Sequence, residues 1–150
     1  MRQLKKQPVL LMVDDDDEDI YLTRRAFCNH QSNLIFNSVY SGAEMFDYLH
    51  CRGEFEGNTE ELLPDVILMD INIPQINGFV ILEQLRADPL FAHLPVTMLT
   101  TSSAAHDIQR AYQVGASSYI CKSVSSQGMQ DVATRFCDYW FGFAKLPMAS

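Results

Sequence analysis

The sequence has few basic residues: 11 Lys and Arg stand against 19 Asp and Glu, and the formal net charge is −8. Binding to nucleic-acid phosphates requires clustered Lys and Arg, so this chain by itself is a poor candidate for a nucleic-acid-binding protein. Hydrophobic residues nevertheless make up 47% of the chain. That fraction is normal for a globular protein and excludes an intrinsically disordered chain.

Cysteine is also scarce, and its spacing does not suit metal binding. The cysteines are Cys28, Cys51, Cys121 and Cys137. They form no Cys-x-x-Cys pair, and no His lies at zinc-ligand spacing from them. We therefore expect buried, reduced thiols.

The chain lacks long hydrophobic runs near its start. Behind the basic residues of segment 1–8, the apolar stretch Val9–Val13 is only five residues long before acids begin. A secretory signal or a membrane span needs a longer apolar segment, so we expect a cytoplasmic protein that does not bind membranes. A length of 150 residues favours one domain over residues 1–150, with flexible tails at 1–7 and 144–150.

Short apolar runs alternate with amphipathic segments along the chain. The apolar runs predict strands at Val9–Asp14, Leu34–Tyr40, Val66–Asp70, Pro95–Thr100 and Ser118–Cys121. Helices are expected over Asp17–Cys28, after a cap at Ser41, after Asn77-Gly78, after a cap at Ser102 or Ser103, and over Ser125–Phe143. This alternation predicts an α/β fold with a parallel sheet, right-handed crossovers and helices on both faces.

One segment interrupts the alternation. Residues 50–61 are polar, acidic and contain glycine, which predicts a long surface loop before the third strand. No internal repeat, low-complexity tract or linker to a second domain is apparent in the sequence.

Acidic residues follow two of the predicted strands where each strand ends. Asp14 and Asp15 come at the end of the first strand, and Asp70 ends the third. In a doubly wound sheet these strands are neighbours, and ligands bind at their carboxyl ends. Mg²⁺ prefers oxygen ligands and keeps several waters, so two or three carboxylates suffice to bind it. Thr100 ends the fourth strand and Lys122 follows the fifth, so both could reach a phosphoryl group at this edge.

These residues together make the sequence similar to the receiver domain of two-component response regulators. Further matching positions are Pro74, Gly78, Gly115, Ala116 and Tyr119. The similarity covers about Val9 to Phe143. It implies a flavodoxin-like, doubly wound (βα)5 three-layer sandwich with a five-stranded parallel sheet in the order 2-1-3-4-5.

The resemblance implies a phosphoacceptor and a metal site. Asp70 would accept a phosphoryl group from a phosphohistidine of a sensor histidine kinase. Mg²⁺, for which Mn²⁺ could substitute, would be bound by Asp15, Asp70 and the backbone carbonyl of Asn72. Asp14 would act mainly through a water bound to the metal.

The resemblance also implies residues for phosphoryl contact and switching. Thr100 and Lys122 would contact the phosphoryl oxygens, and Tyr119 would turn inward when Thr100 is drawn to the phosphate. Asn72 and Ser102 occupy the variable positions that tune how fast water hydrolyses the acyl phosphate.

Three finer features resemble the single-domain regulators that pair with bacterial phytochromes. They are the long loop before the third strand, Lys122-Ser123 in place of Lys-Pro, and the ending Asp138-Tyr139-Trp140-Phe141. The replacement of Pro leaves the cis or trans state of the Lys122–Ser123 bond open. The expected protein catalyses only its own phosphorylation and dephosphorylation, signals by conformational switching to a partner, and has no output domain after Phe143.

The last predicted helix carries more apolar residues than one core-facing stripe needs. The stripe consists of Met129, Val132, Ala133, Phe136, Cys137 and Trp140. Tyr139, Phe141 and Phe143 fall outside it, which suggests a homodimer or partner contact through this helix. The alternative is that the segment 144–150 folds back and covers them.

Two other functions compete with the receiver interpretation. A metal-dependent phosphatase with an aspartyl nucleophile commonly carries Asp-x-Asp, whereas Asp70-Ile71-Asn72 lacks the second acid for proton transfer. A flavin-binding flavodoxin-like protein needs a Gly/Ser/Thr-rich phosphate loop after the first strand. The acids from Asp14 to Asp17 would repel a phosphate there unless a metal intervened. The receiver interpretation is therefore preferred.

Overall fold

The computed structural model describes residues 7–147, in which a parallel sheet carries α-helices on both faces. The strands are β1 (Val9–Val13), β2 (Ile35–Val39), β3 (Val66–Met69), β4 (Val96–Thr100) and β5 (Ser118–Cys121). The helices are α1 (Asp17–His30), α2 (Gly42–Leu49), α3 (Gly78–Arg86), α4 (Ala105–Gln113) and α5 (Ser126–Trp140). The five strands lie in the order β2-β1-β3-β4-β5, which confirms the predicted fold. Residues 1–6 and 148–150 of the predicted tails lie outside the described residues.

The pairing of β1 with β3 fixes where the acidic residues leave the sheet. Val13 lies opposite Met69, and both strands bury every residue. Asp14 and Asp70 are the next residues of their chains. Since parallel strands end at the same edge, the two carboxylates emerge side by side, as the sequence predicts.

The sheet separates two hydrophobic clusters, one on each face. One contains residues of α2, α3 and α4, among them Met45, Leu82 and Ala111. The other contains residues of α1 and α5, where the rings of Phe27 and Phe136 meet edge to face with centroids 5.4 Å apart. Apolar burial on both faces explains why the central strands are continuous hydrophobic runs.

The helix cap predicted from the sequence is confirmed at α2 but not at α4. Ser41 caps α2 by accepting a hydrogen bond from the Glu44 amide. The cap predicted at Ser102 or Ser103 is wrong, because α4 follows Ala104, which offers no side-chain cap. The Ser102 hydroxyl instead donates to Asp107, at 2.6 Å.

Other boundaries differ slightly from the prediction. Helix α5 ends at Trp140, earlier than the predicted Phe143. Strand β1 ends at Val13 rather than Asp14, and β3 ends at Met69 rather than Asp70. Within residues 7–147 no peptide bond is cis, so Lys122–Ser123 is trans.

The segment expected to be a surface loop contains two short 3-10 helices, Gly53–Phe55 and Glu60–Leu62. The Phe55 ring contacts Tyr48 edge to face, with centroids 5.1 Å apart. The Tyr48 hydroxyl donates to the Leu62 carbonyl, at 2.6 Å. Because Tyr48 belongs to α2, it ties both turns to the end of that helix.

The end of α5 leaves two aromatic side chains exposed. Tyr139 is 51% exposed and Phe143 is 80% exposed. Phe141 packs against Phe136, and Leu146 packs against the cluster of α1 and α5. The described part of the C-terminal segment therefore contacts the core without covering Tyr139 and Phe143.

The cysteines are free thiols in different surroundings. Cys137 is buried, and burial raises its pKa to about 12. Cys121 is exposed, so the expectation of a buried thiol is wrong there, while Cys28 and Cys51 are partly buried. None of the helices found between residues 7 and 147 is long and apolar enough to span a membrane.

Candidate functional site

The ammonium group of Lys122 lies among three carboxylates at the carboxyl edge of the sheet. Its Nζ donates to Asp14 Oδ2 at 2.7 Å, to Asp19 Oδ2 at 2.9 Å and to Asp70 Oδ2 at 3.2 Å. The Lys122 side chain is only 7% exposed, and Asp14 is fully buried. The structure thus brings the predicted residues Asp14, Asp70 and Lys122 together and adds Asp19 to them.

Backbone amides orient the two inner carboxylates. Asp14 Oδ1 accepts a hydrogen bond from the Asp16 amide at 3.0 Å, and Asp70 Oδ1 accepts one from the Ile71 amide at 2.8 Å. Each carboxylate therefore has one oxygen fixed by the chain and directs the other, Oδ2, to Lys122. The two Oδ2 atoms therefore share one cation, the Lys122 ammonium.

For both Asp14 and Lys122, burial and the neighbouring polar and charged groups shift the pKa in opposite directions. Burial raises the pKa of Asp14, although hydrogen bonds from Lys122 and the Asp16 amide partly offset that rise. Burial alone would lower the pKa of Lys122, but the hydrogen bonds to Asp14 and Asp19 and the charge of Asp70 raise it above the ordinary lysine value. The ammonium stays charged, and three carboxylates around one ammonium favour a further cation.

Thr100 presents a buried hydroxyl at the end of β4. In the part of the chain described, its Oγ1 makes no hydrogen bond. The Thr100 carbonyl accepts a hydrogen bond from the Lys122 amide at 2.7 Å, so the two residues lie side by side at the edge. A buried hydroxyl left unsatisfied costs about 1–3 kcal/mol, which a ligand oxygen would recover.

Gly78 allows α3 to begin against the backbone of Asp70. The Gly78 amide donates to the Ile71 carbonyl at 2.8 Å. A Cβ at position 78 would overlap the Asp70 carbonyl oxygen and lie 3.1 Å from the Ile71 Cα. The sequence marked Gly78 as a matching position, and the structure gives the steric reason.

The predicted switch residue Tyr119 is bonded to the loop after β4. Its hydroxyl donates to the Ser102 carbonyl at 2.9 Å, and its ring packs against the cluster of α2, α3 and α4. The Ser102 hydroxyl donates to Asp107 and accepts a hydrogen bond from the Ala104 amide. Tyr119, Ser102 and Asp107 therefore form a chain of contacts from β5 to the first turn of α4.

Asp15 and Asn72, the other predicted metal ligands, are both exposed, and each lies within two residues of an inner carboxylate along the chain. Among residues 7–147 no three His, Cys, Asp or Glu side chains form a ready metal-binding group. Lys122 lies where the carboxylates converge. The metal roles of Asp14, Asp15, Asp70 and Asn72 remain predictions.

Asp19 is the site residue that sequence reasoning missed. It belongs to an acidic run that reads as a solvated helix start. The available signal was the helical spacing to Thr23, which is buried on α1 and accompanies Asp19 on one face. The sequence does not show that this face contacts Lys122, because the contact depends on how α1 is rotated against the sheet.

A sheet of this order, with Asp14, Asp70 and Lys122 together at its carboxyl edge, is the arrangement expected of a receiver domain. The chain belongs to the response regulator receiver domain family, whose model matches residues 10–134. In sequence it is 25% identical over 141 residues to the response regulator Rcp1 of Synechocystis, covering 94% of each chain.

Solved structures agree with this assignment. The phosphorylated cyanobacterial phytochrome response regulator RcpA is 29% identical, with a TM-score of 0.85 and coverage of 95% of this chain and 99% of RcpA. The response regulator RPA3017, from red light signalling of R. palustris, is 27% identical, with a TM-score of 0.87 and coverage of 94% and 99%. The chain thus matches nearly the full length of these regulators.

Proposed function

We propose that this protein is a phosphoacceptor of a two-component system, with Asp70 as the residue that is phosphorylated. The observation that carries the proposal is the Asp70 carboxylate held 3.2 Å from the Lys122 ammonium. At the same sheet edge lies the Thr100 hydroxyl, which has no hydrogen-bond partner among residues 7–147. A nucleophile, a fixed cation and a free hydrogen-bond donor at one edge suit phosphoryl transfer.

In the proposed reaction, a carboxylate oxygen of Asp70 forms a bond to phosphorus. The phosphorus–nitrogen bond of the donor phosphohistidine breaks, and its electron pair stays with the histidine nitrogen. Lys122 remains charged and stabilises the negative charge that develops on the phosphoryl oxygens. The Thr100 hydroxyl gains its missing partner by donating to one of those oxygens.

The donor set at this edge fits a hard divalent cation. Asp14 and Asp70 already share one cation, the Lys122 ammonium, and the site has an excess of negative charge. The proposed direct ligands of Mg²⁺ are Asp15, Asp70 and the Asn72 carbonyl, and Asp14 would act mainly through a water bound to the metal. Mn²⁺ is a proposed substitute of similar oxygen preference. When bound, the ion would neutralise charge on the phosphoryl oxygens.

Labelling with a small phosphodonor tests this function. Incubation with acetyl phosphate and Mg²⁺ is expected to add one phosphoryl group to the protein, because a small donor needs only the site itself. Omitting Mg²⁺ and adding EDTA is expected to abolish the gain in intact mass. A wild-type protein that gains no mass with Mg²⁺, or gains as much with EDTA, would contradict the proposal.

The proposed partner is a sensor histidine kinase of the phytochrome type. Support comes from the similarity along nearly the whole chain to RcpA and to RPA3017, whose names connect them with phytochrome and red light signalling. The kinase draws its phosphoryl group from ATP, so we place the protein in the cytoplasm. Its catalysis would be limited to its own phosphorylation and dephosphorylation.

Signal output is proposed to run through Thr100 and Tyr119. Movement of the Thr100 side chain toward a phosphoryl group would change the packing next to Tyr119, which the Ser102 carbonyl now holds. Ser102 is bonded to Asp107, so the change would reach α4. Asn72, which is exposed, and Ser102 are the proposed determinants of acyl phosphate hydrolysis.

We further propose that the C-terminal helix forms a homodimer contact. Tyr139 and Phe143 are exposed, and their ring centroids lie 6.2 Å apart, so they form one aromatic patch. Light scattering is expected to detect dimers, and replacement of both residues by Ser is expected to shift the protein to monomers. Monomers alone, with and without phosphorylation, would remove this proposal.

A further inference from the structure

Among the three carboxylates that contact Lys122, Asp19 is the one that the proposed metal and phosphoryl chemistry does not use. Its side chain is 36% exposed, whereas that of Asp14 is fully buried and that of Asp70 is 11% exposed. An ammonium group has three N–H donors, and the three carboxylates can occupy all of them. Asp19 therefore holds Lys122 from the solvent side of the site.

The first turn of α1 fixes the backbone of Asp19. Asp16 caps the helix and accepts a hydrogen bond from the Asp19 amide at 3.2 Å. The Asp19 carbonyl accepts one from the Thr23 hydroxyl at 2.7 Å, and Thr23 is buried. With its amide and its carbonyl both engaged, Asp19 is presented to Lys122 by a rigid helix start.

Lys122 and a divalent ion compete for the same oxygens. The Oδ2 atoms of Asp14 and Asp70 receive hydrogen bonds from the ammonium, and the same carboxylates are proposed to hold the ion, Asp70 directly and Asp14 through a bound water. An ammonium without another partner would either keep these oxygens or lie unpaired beside a like charge, which is unfavourable in a partly buried site. Asp19 offers a carboxylate oxygen outside the proposed metal ligands.

We propose that Asp19 is a positioning residue that draws the Lys122 ammonium away from Asp14 and Asp70 while the divalent ion is bound. It also keeps the ammonium within reach of the phosphoryl oxygens. This inference rests on the proposed function and deepens it. Asp19 acts through Lys122, so its contribution to metal affinity depends on the lysine being present.

The affinity for Mn²⁺, measured by electron paramagnetic resonance of the free ion, tests this role. Asp19→Asn is expected to weaken binding about tenfold, as loss of an outer-shell carboxylate typically does. The control is Glu18→Gln, which removes the same charge from an exposed neighbouring position. It is expected to weaken binding less than about threefold, because exposed charges are screened. Asp19→Glu is expected to retain most of the affinity.

A Lys122→Met background separates positioning from direct metal binding. There the affinity loss from Asp19→Asn is expected to shrink to that of Glu18→Gln, and circular dichroism checks that each variant is folded. Wild-type protein that binds Mn²⁺ no better than Asp19→Asn would overturn the inference while leaving the proposed function standing. An equally large loss in both backgrounds would also overturn it. Wild-type protein that neither binds Mn²⁺ nor accepts a phosphoryl group would overturn both.

Discussion

The Asp70→Asn variant is expected to gain no phosphoryl group from acetyl phosphate and Mg²⁺, under conditions in which the wild-type protein is labelled. The amide is a poor nucleophile because its nitrogen electron pair is delocalised, and it carries no charge for the metal. Its oxygen can still accept the hydrogen bond that Asp70 Oδ1 receives from the Ile71 amide, so the local backbone should be kept. Intact mass spectrometry measures the outcome.

The Asp70→Asn variant is expected to stay folded, so a loss of labelling can be assigned to the loss of the nucleophile. Three carboxylates surround one ammonium, and Asp70 and Asp14 repel each other. Neutralising Asp70 relieves that repulsion, so Asp70→Asn is expected to unfold at the same urea concentration as wild type or at a higher one. Asp17→Asn, an exposed acid that accepts from the Tyr40 hydroxyl, is the matched control and should label normally. Undiminished labelling of Asp70→Asn would place the phosphoryl group elsewhere.

Replacement of Gly78 by Ala is expected to destabilise the protein by about 3 kcal/mol. The added Cβ would overlap the Asp70 carbonyl oxygen, and backbone atoms cannot move aside as a flexible side chain can. The backbone of Asp70 must shift in response, so the rate of labelling by acetyl phosphate is expected to fall on the order of a hundredfold. Urea unfolding and labelling kinetics measure the two effects.

Gly42→Ala provides the comparison. A Cβ there would lie 2.8 Å from Cγ1 of Ile81, a side-chain atom that can adjust. Ile81 is fully buried and must shift, so the loss is expected to be about 1–2 kcal/mol, with labelling unchanged because no backbone atom of Asp70 is displaced. If Gly78→Ala were no less stable than Gly42→Ala, the tight approach of α3 to Asp70 would be refuted.

The sequence predicts the fold and the inner site for a definite physical reason. Strands β1 and β3 are buried on both faces, so their apolar runs are unambiguous, and parallel strands must end at one edge. The placement of Asp14 and Asp70 at one edge follows from this rule, and their side-by-side position follows from the doubly wound order, in which β1 and β3 are neighbours. The pairing of Lys122 with them follows from the strand order, which the resemblance to receiver domains supplied.

Side-chain contacts that depend on tertiary packing could not be predicted from the sequence. The contact of Asp19 with Lys122 depends on how α1 is rotated against the sheet. The predicted cap at Ser102 failed because α4 begins only after Ala104, so the Ser102 hydroxyl accepts from the Ala104 amide and not from an amide inside the helix. The turns Gly53–Phe55 and Glu60–Leu62 are held by the ring and the hydroxyl of Tyr48, contacts that no local pattern reveals.

The most direct test of the central claim is to locate the phosphoryl group on the chain. Wild-type protein would be treated with acetyl phosphate and Mg²⁺, and the acyl phosphate reduced with borohydride. The protein would then be digested and sequenced by tandem mass spectrometry. The account predicts that Asp70, and no other aspartate, is converted to homoserine. Conversion of Asp14, Asp15 or Asp19 instead, or of no aspartate in a protein that had gained the mass, would contradict it.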